Sequence, residues 1–210
     1  MLINENCRTF VALLLACSEL NACTVSVNAR LSASEIDNIQ AHCHPRCTSY
    51  TAAVSPDSIA HGERHGAEIH ESGLLGKLCI WTLADVQDEP CLIEMEKQVA
   101  VMIYTTGTTG NPKGVMLSHR NLLFISEATK DVRGFTPDDY VYLTLPLSHI
   151  FGLSSSLLTS LYAGATLHLV PGFNAAHLFK TLPKGISVFQ GVPAMHSSLL
   201  EYAEINKVEI

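Results

Sequence analysis

The feature that most constrains the fold is a continuous apolar run, Val99-Ala-Val-Met-Ile-Tyr104, which leads directly into a segment rich in glycine and threonine. An apolar run without alternation is typical of a strand buried on both faces, as in a parallel sheet. Downstream, further apolar runs alternate with segments of helical periodicity. Strands that alternate with helices predict an α/β fold with a mostly parallel sheet flanked by helices.

Several of the predicted elements have recognisable boundaries. Ser32 and Glu35 match a capping box, and Ser118 and Asn174 each precede a helical segment. We expect strands over 24–27, 48–54, 99–104, 140–145, 166–170 and 186–189, and helices over 9–20, 151–163 and 194–203. Residues 55–98 have no clear pattern, and no elements are assigned there.

Composition excludes some classes of function. The chain has 210 residues, a net charge of -7 and no basic tract, which argues against nucleic acid as a partner. No apolar run approaches the roughly 20 residues that span a bilayer, so no membrane partner is expected. All seven cysteines lie in the first half of the chain, and their odd number argues against a disulfide framework. We therefore expect reduced, mostly buried thiols and a cytoplasmic protein.

The segment Phe10–Cys17 allows a second interpretation, a short signal core that ends at a lipoprotein-type cysteine. However, Glu5 beside Arg8 leaves the preceding segment without net positive charge, and the apolar core is at the short limit. A buried helix is the favoured interpretation. A lipoprotein anchored at Cys17 stays as an alternative, which membrane fractionation would test.

The segment Tyr104-Thr-Thr-Gly-Thr-Thr-Gly-Asn-Pro-Lys-Gly114 has the composition of a polyphosphate-binding loop. Glycines let backbone N–H groups approach an anion closely, hydroxyl groups add donors, and a lysine adds charge. The spacing is that of neither a Walker A loop nor a G-x-G-x-x-G loop. The predicted phosphate-binding residues are Thr105, Thr106, Gly107, Thr108, Thr109, Gly110, Pro112, Lys113 and Gly114.

The segment His42-Cys43-His44-Pro-Arg-Cys47 brings together side chains that bind zinc. No second pair of ligands follows at a familiar spacing, so chance crowding at the end of a helix is the favoured interpretation. We predict no metal site in the protein.

The phosphate-loop segment resembles the signature loop of the adenylate-forming superfamily, which includes acyl- and aryl-CoA synthetases, peptide-synthetase adenylation domains and luciferases. Thr106 stands where the family usually has serine, and it keeps a hydroxyl group. Leu145-Pro-Leu-Ser-His-Ile-Phe-Gly152 resembles the segment whose histidine borders the acyl pocket. Gln190-Gly-Val-Pro-Ala194 is similar to a turn that lines that pocket, and Val25–Leu31 resembles a further family segment, with Ser26 in place of proline.

The resemblance implies a ligase that first forms an acyl-adenylate from ATP and a carboxylic acid and then transfers the acyl group to a thiol, often CoA. Lys113 would stabilise charge on the leaving pyrophosphate, and His149 would lie beside the carboxylate. The substrate pocket would contain His149, Gly191, Val192 and Pro193. No acidic residue accompanies Ser148 and His149, which favours a fatty or aromatic acid over an amino acid.

The resemblance also implies that the chain is a partial N-terminal domain. Residues 1–98 would form an incomplete first subdomain, and residues 99–210 the phosphate loop and the acyl-pocket segment. The family's later block, which supplies the glutamate ligand of Mg2+, and its C-terminal domain would be absent. We therefore expect a truncated fragment that releases no pyrophosphate on its own. The alternative is a non-catalytic nucleotide-binding or interaction module.

Overall fold

The larger of two sheets in the computed structural model of this protein has seven strands, in the order β4-β5-β3-β1-β2-β6-β7. The structure describes residues 1–83, 94, 97–106 and 112–208. The four inner strands β3, β1, β2 and β6 run parallel, and β4, β5 and β7 are antiparallel additions. The strands are β1 (Leu2–Asn4), β2 (Thr24–Asn28), β3 (Cys47–Tyr50), β4 (Glu68–Ser72), β5 (Gly76–Thr82), β6 (Val99–Thr106) and β7 (Pro112–Ser118).

The smaller sheet has three parallel strands in the order β10-β8-β9. They are β8 (Tyr140–Leu143), β9 (Thr166–Leu169) and β10 (Val188–Phe189). The predicted α/β fold with a mostly parallel sheet is confirmed, because five of the eight strand pairs formed by the described residues are parallel.

Helices flank both sheets. They are α1 (Arg8–Glu19), α2 (Ala33–Cys43), α3 (Pro56–Arg64), α4 (His119–Arg133), α5 (Thr159–Ala163), α6 (Ala175–Thr181) and α7 (Pro193–Asn206). Ser32 and Ser118 each form a capping box, and Asn174 accepts a hydrogen bond from the backbone N–H of His177, as predicted. None of the helices in the described residues has the length and apolar character needed to cross a bilayer.

Among the four apolar clusters of the described residues, two are large. One lies under α2 and includes Ile3, Val27 and Ile36. The other joins the two sheets, because Phe10 of α1 and Val101 of β6 pack with Leu143, Leu147, Leu153 and Leu157. The burial of Phe10 and Leu14 agrees with the interpretation of this segment as a buried helix.

Three expectations need correction. Residues 151–158 form a π-helix before α5, although the pattern predicted one α-helix over 151–163. Residues 55–83, left unassigned, hold α3 and the antiparallel pair β4–β5. The expectation of mostly buried thiols is wrong, because only Cys7 and Cys79 of the six described cysteines are buried. The division of the chain at residue 98 stays a prediction; β6 and β7, beyond it, belong to the same sheet as β1–β3.

Candidate active site

A cavity of about 630 Å3, here called the main cavity, lies where the carboxyl ends of β2 and β6 face the segment after β8. The carboxyl ends of parallel strands are the usual location of ligand sites in α/β folds. The described residues that line it are Ser26, Val27, Asn28, Leu31, Glu35, Asn38, Ile39, Tyr104, Thr105, Pro112, Leu145, Pro146, Ser148, His149, Phe151, Gly152, Val192 and Met195. The cavity therefore brings together residues from all three predicted motifs.

The first wall of the main cavity is the hairpin of β6 and β7, which flanks the predicted phosphate loop. Thr105 pairs with Lys113, and Thr106 pairs with Pro112. Thr105 and Pro112 line the cavity, whereas Lys113 is exposed and is not among its described lining residues. The predicted binding residues Gly107, Thr108, Thr109 and Gly110 lie outside the described residues.

Gly114, one of the predicted phosphate-binding residues, has a packing role within the hairpin. It lies within β7, has no positive φ, and pairs with Tyr104. A Cβ atom at this position would approach the Met102 Sδ atom to 2.6 Å and the Tyr104 ring to 3.3 Å. The glycine therefore leaves space for two side chains of the neighbouring strand.

The second wall is the turn Leu145–His149, here called the histidine turn. The His149 backbone N–H donates to the Pro146 carbonyl at 3.1 Å. The backbone N–H of Phe151 donates to His149 Nδ1 at 3.2 Å. Since Nδ1 is an acceptor in this arrangement, the neutral imidazole carries its proton on Nε2. The side chain can thus offer one hydrogen-bond donor without a permanent charge.

A buried asparagine that the sequence analysis did not identify holds the histidine turn. The Asn6 amide donates to the Leu145 carbonyl at 2.9 Å, and its oxygen accepts from the Leu147 N–H at 3.1 Å. Asn6 is 2% exposed and follows β1, so these bonds tie the turn to the centre of the larger sheet. Ser26 adds a bond from its hydroxyl to the Leu147 carbonyl at 3.2 Å.

Gly152 sets the distance between the π-helix and the histidine turn. A Cβ atom there would overlap the Pro146 carbonyl oxygen and would lie 2.8 Å from the Leu145 carbonyl oxygen. Backbone atoms cannot move aside as a flexible side chain can. The position therefore requires glycine.

The third motif, Gln190–Ala194, contributes only in part to the main cavity. Val192 precedes α7 and lines the cavity together with Met195. Gly191 and Pro193, also predicted for the pocket, are not among its described lining residues. A Cβ atom on Gly191 would lie 2.9 Å from the Phe189 ring, so this glycine permits close packing between β10 and α7.

The electrostatics of the main cavity are dominated by neutral groups. Burial raises the pKa of Tyr104 to about 12, and its hydroxyl lies 2.6 Å from His42 Nδ1. Glu35 is occupied by the capping box, where hydrogen bonds from Ser32 lower its pKa. No lysine or arginine is among the described lining residues, and the sequence of residues 107–111 contains no charged side chain.

Within the described part of the chain, no three or more His, Cys, Asp or Glu side chains are grouped in a way that could hold a metal ion. The histidines and cysteines between residues 42 and 47 belong to this described part. His42 instead forms its hydrogen bond with Tyr104.

Comparison with protein families matches residues 1–209 to the family described as AMP-binding enzyme. The chain belongs to this family, so the resemblance inferred from the sequence motifs is confirmed. The fold is that of the N-terminal part of adenylate-forming enzymes.

Individual relatives are CoA ligases. The chain is 32% identical to the mitochondrial malonate–CoA ligase of Xenopus laevis over 165 residues, which cover 74% of this chain and 27% of the relative. It is 30% identical to the 4-coumarate–CoA ligase of Pinus taeda over 195 residues, which cover 88% of this chain and 36% of the relative. The chain thus spans about a third or less of the length of these relatives.

Similarity to solved structures agrees with this family membership. ATP-bound MatB from Rhodopseudomonas palustris matches with a TM-score of 0.72 and 25% identity, covering 95% of this chain and 40% of MatB. The N-terminal domain of FACL13 from Mycobacterium tuberculosis matches with a TM-score of 0.77, covering 99% of this chain and 53% of that chain. Its 21% identity supports the fold alone.

Proposed function

We propose that this chain carries the ATP-phosphate and carboxylic-acid sites of an acid–CoA ligase that works through an acyl-adenylate. The observation that supports this most is the main cavity, in which Thr105, His149 and Val192 from three distant motifs line one space. Its size, about 630 Å3, suits a small organic molecule. The family membership and the CoA-ligase relatives support the same reaction class.

In this proposal the segment Thr105–Gly114 holds the β- and γ-phosphates. ATP supplies the phosphorus that the acid's carboxylate attacks, with pyrophosphate as the leaving group. The backbone N–H groups, the threonine hydroxyls and Lys113 stabilise negative charge there, which is the main contribution a protein makes to phosphoryl chemistry. The antiparallel pairing of β6 with β7 supports this role, because it fixes both ends of the loop beside the cavity.

The acid's carboxylate lies next to His149, and its tail occupies the main cavity. The proton on His149 Nε2 donates a hydrogen bond to a carboxylate oxygen and orients it without adding charge. The tail is that of a fatty or aromatic acid. A second carboxylate would need a cationic partner, and none of the described residues that line the main cavity is cationic. Between the substrates named for the two relatives, coumarate therefore suits this cavity better than malonate. The acyl group then passes to a thiol, for which CoA is the candidate.

Isothermal titration of the 210-residue chain with ATP tests the nucleotide site. We expect Lys113→Ala to weaken ATP binding about tenfold, because a hydrogen bond to a charged group contributes roughly 1.5–3 kcal/mol. Lys77→Ala is the matched control, since Lys77 lies on β5 at the other side of the larger sheet. Absence of ATP binding in the parent chain would contradict the nucleotide site.

Acid-dependent release of pyrophosphate tests the reaction separately. No release is expected from the 210-residue chain alone, so turnover would contradict that expectation, and its loss in His149→Ala would still assign adenylation to these residues. ATP binding without acid binding would instead favour the alternative of a non-catalytic nucleotide-binding module.

A further inference from the structure

A second and smaller cavity, here called the side cavity, adjoins the main cavity. Its volume is about 210 Å3, and it lies where the carboxyl ends of β1, β2, β8 and β9 meet. The two cavities share four lining residues, namely Asn28, Pro146, Ser148 and Met195. A molecule in the main cavity therefore has the side cavity directly next to it.

The side cavity is more polar than the main cavity. Its lining includes Glu5 and Thr144, which are 8% and 2% exposed, and the more exposed Arg30. The Thr144 hydroxyl is buried and has no hydrogen-bond partner among the described residues. Because leaving a buried polar group unpaired costs about 1–3 kcal/mol, an orphan hydroxyl beside a cavity indicates a place for a polar group that binds there.

Charge decides which polar group fits. Arg30 Nε donates to Glu5 Oε1 at 2.5 Å, so the two charges of the side cavity neutralise each other. A carboxylate entering the cavity would bring an unbalanced negative charge next to the buried Glu5. A hydroxyl group adds no charge, and it can both donate to a carboxylate and accept from Thr144.

We propose that the side cavity is a subsite for a hydroxyl group at the far end of the acid's tail, and that Thr144 determines this specificity. This inference rests on the proposed function, because it assumes that the acid occupies the main cavity. It narrows the substrate class to acids with an apolar middle and a neutral, hydrogen-bonding end.

Titration calorimetry of the 210-residue chain with three straight-chain acids tests the subsite. The series is hexanoate, 6-hydroxyhexanoate and hexanedioate, repeated with the corresponding acids of eight and ten carbons. At the length that reaches the side cavity, we expect the hydroxy acid to bind about fivefold to tenfold more tightly than the plain acid, as one net hydrogen bond allows. The dicarboxylic acid should bind more weakly than the hydroxy acid.

Thr144→Val removes the hydroxyl at nearly constant shape and should abolish the preference of the chain for the hydroxy acid over the plain acid. Thr24→Val is the matched control, because Thr24 is also 2% exposed, its hydroxyl has no partner within the described part of the chain, and it is not among the described lining residues of either cavity. Equal affinities at every length, or a preference that survives Thr144→Val, would mean that water satisfies Thr144 and would overturn the subsite alone. A dicarboxylic acid that binds most tightly would overturn the hydroxyl assignment. Binding of none of the acids would overturn the proposed function together with the subsite.

Discussion

The two walls of the main cavity are built in different ways. The hairpin wall is an edge of the larger sheet, where β7 is held by backbone pairing and leaves Lys113 and Met116 exposed. The histidine turn is fixed by buried side chains, above all by Asn6 and by Leu147, which is 1% exposed. The hairpin wall therefore depends on backbone pairing between two strands, whereas the histidine turn depends on the hydrogen bonds and packing of buried side chains. Substitutions should therefore be costly in the second wall and tolerated in the first.

The largest effect is expected for Gly152→Ala in the second wall. The added Cβ atom would overlap backbone oxygen atoms that cannot rotate away, so we expect a loss of about 3 kcal/mol in the free energy of unfolding. Urea denaturation measures it. Gly73→Ala is the control, because nothing lies within 4 Å of a Cβ atom at that position. Similar stability of the two variants would contradict the close contact between the π-helix and the histidine turn.

Asn6→Ala should have the next largest effect. It leaves the Leu145 carbonyl and the Leu147 N–H without these partners, at a cost of about 2 kcal/mol. Asn4→Ala is the matched control, since the Asn4 amide donates to Leu2, Ser26 and Val27, within the larger sheet. Both variants should lose stability, but only Asn6→Ala should change the NMR signals of the His149 ring nitrogens. An unchanged His149 spectrum in Asn6→Ala would show that the histidine turn keeps its shape without the two Asn6 hydrogen bonds.

A smaller effect on stability is expected when the pH is lowered, through a histidine of the smaller sheet, whose strand β8 leads into the histidine turn. Burial, with additional effects of His177 and Lys184, lowers the pKa of His168, which stacks on Tyr142. The unfolded chain therefore binds this proton more readily, and stability should fall as the pH decreases below about 6.5. Melting temperatures measured between about pH 7.5 and 5 test this, with His168→Asn as the control. If His168→Asn loses as much stability as the parent chain over this range, His168 is not the responsible group.

Sequence patterns predicted the elements that have local signals, and they missed those that depend on distant contacts. Neighbouring residues alone predict the strand that begins at residue 99 and the helix caps at Ser32, Ser118 and Asn174. The structure contains all of them. The pairing of β6 with β7 was missed because a Gly-rich loop hides the register of its flanking strands. Asn6 was missed because its partners are about 140 residues away, and no local pattern distinguishes it.

The smallest effect on stability is expected in the hairpin wall. Thr105 and Lys113 face each other across β6 and β7 with exposed side chains, so replacing either by alanine removes little buried surface. We expect the free energy of unfolding of each variant to lie within about 0.5 kcal/mol of that of the parent chain, as is usual for surface substitutions. The same Lys113→Ala protein is expected to bind ATP more weakly, which would separate a contribution to binding from one to folding. A stability loss as large as that of Asn6→Ala would contradict the comparison, because it would mean that side chains also hold the hairpin wall in place.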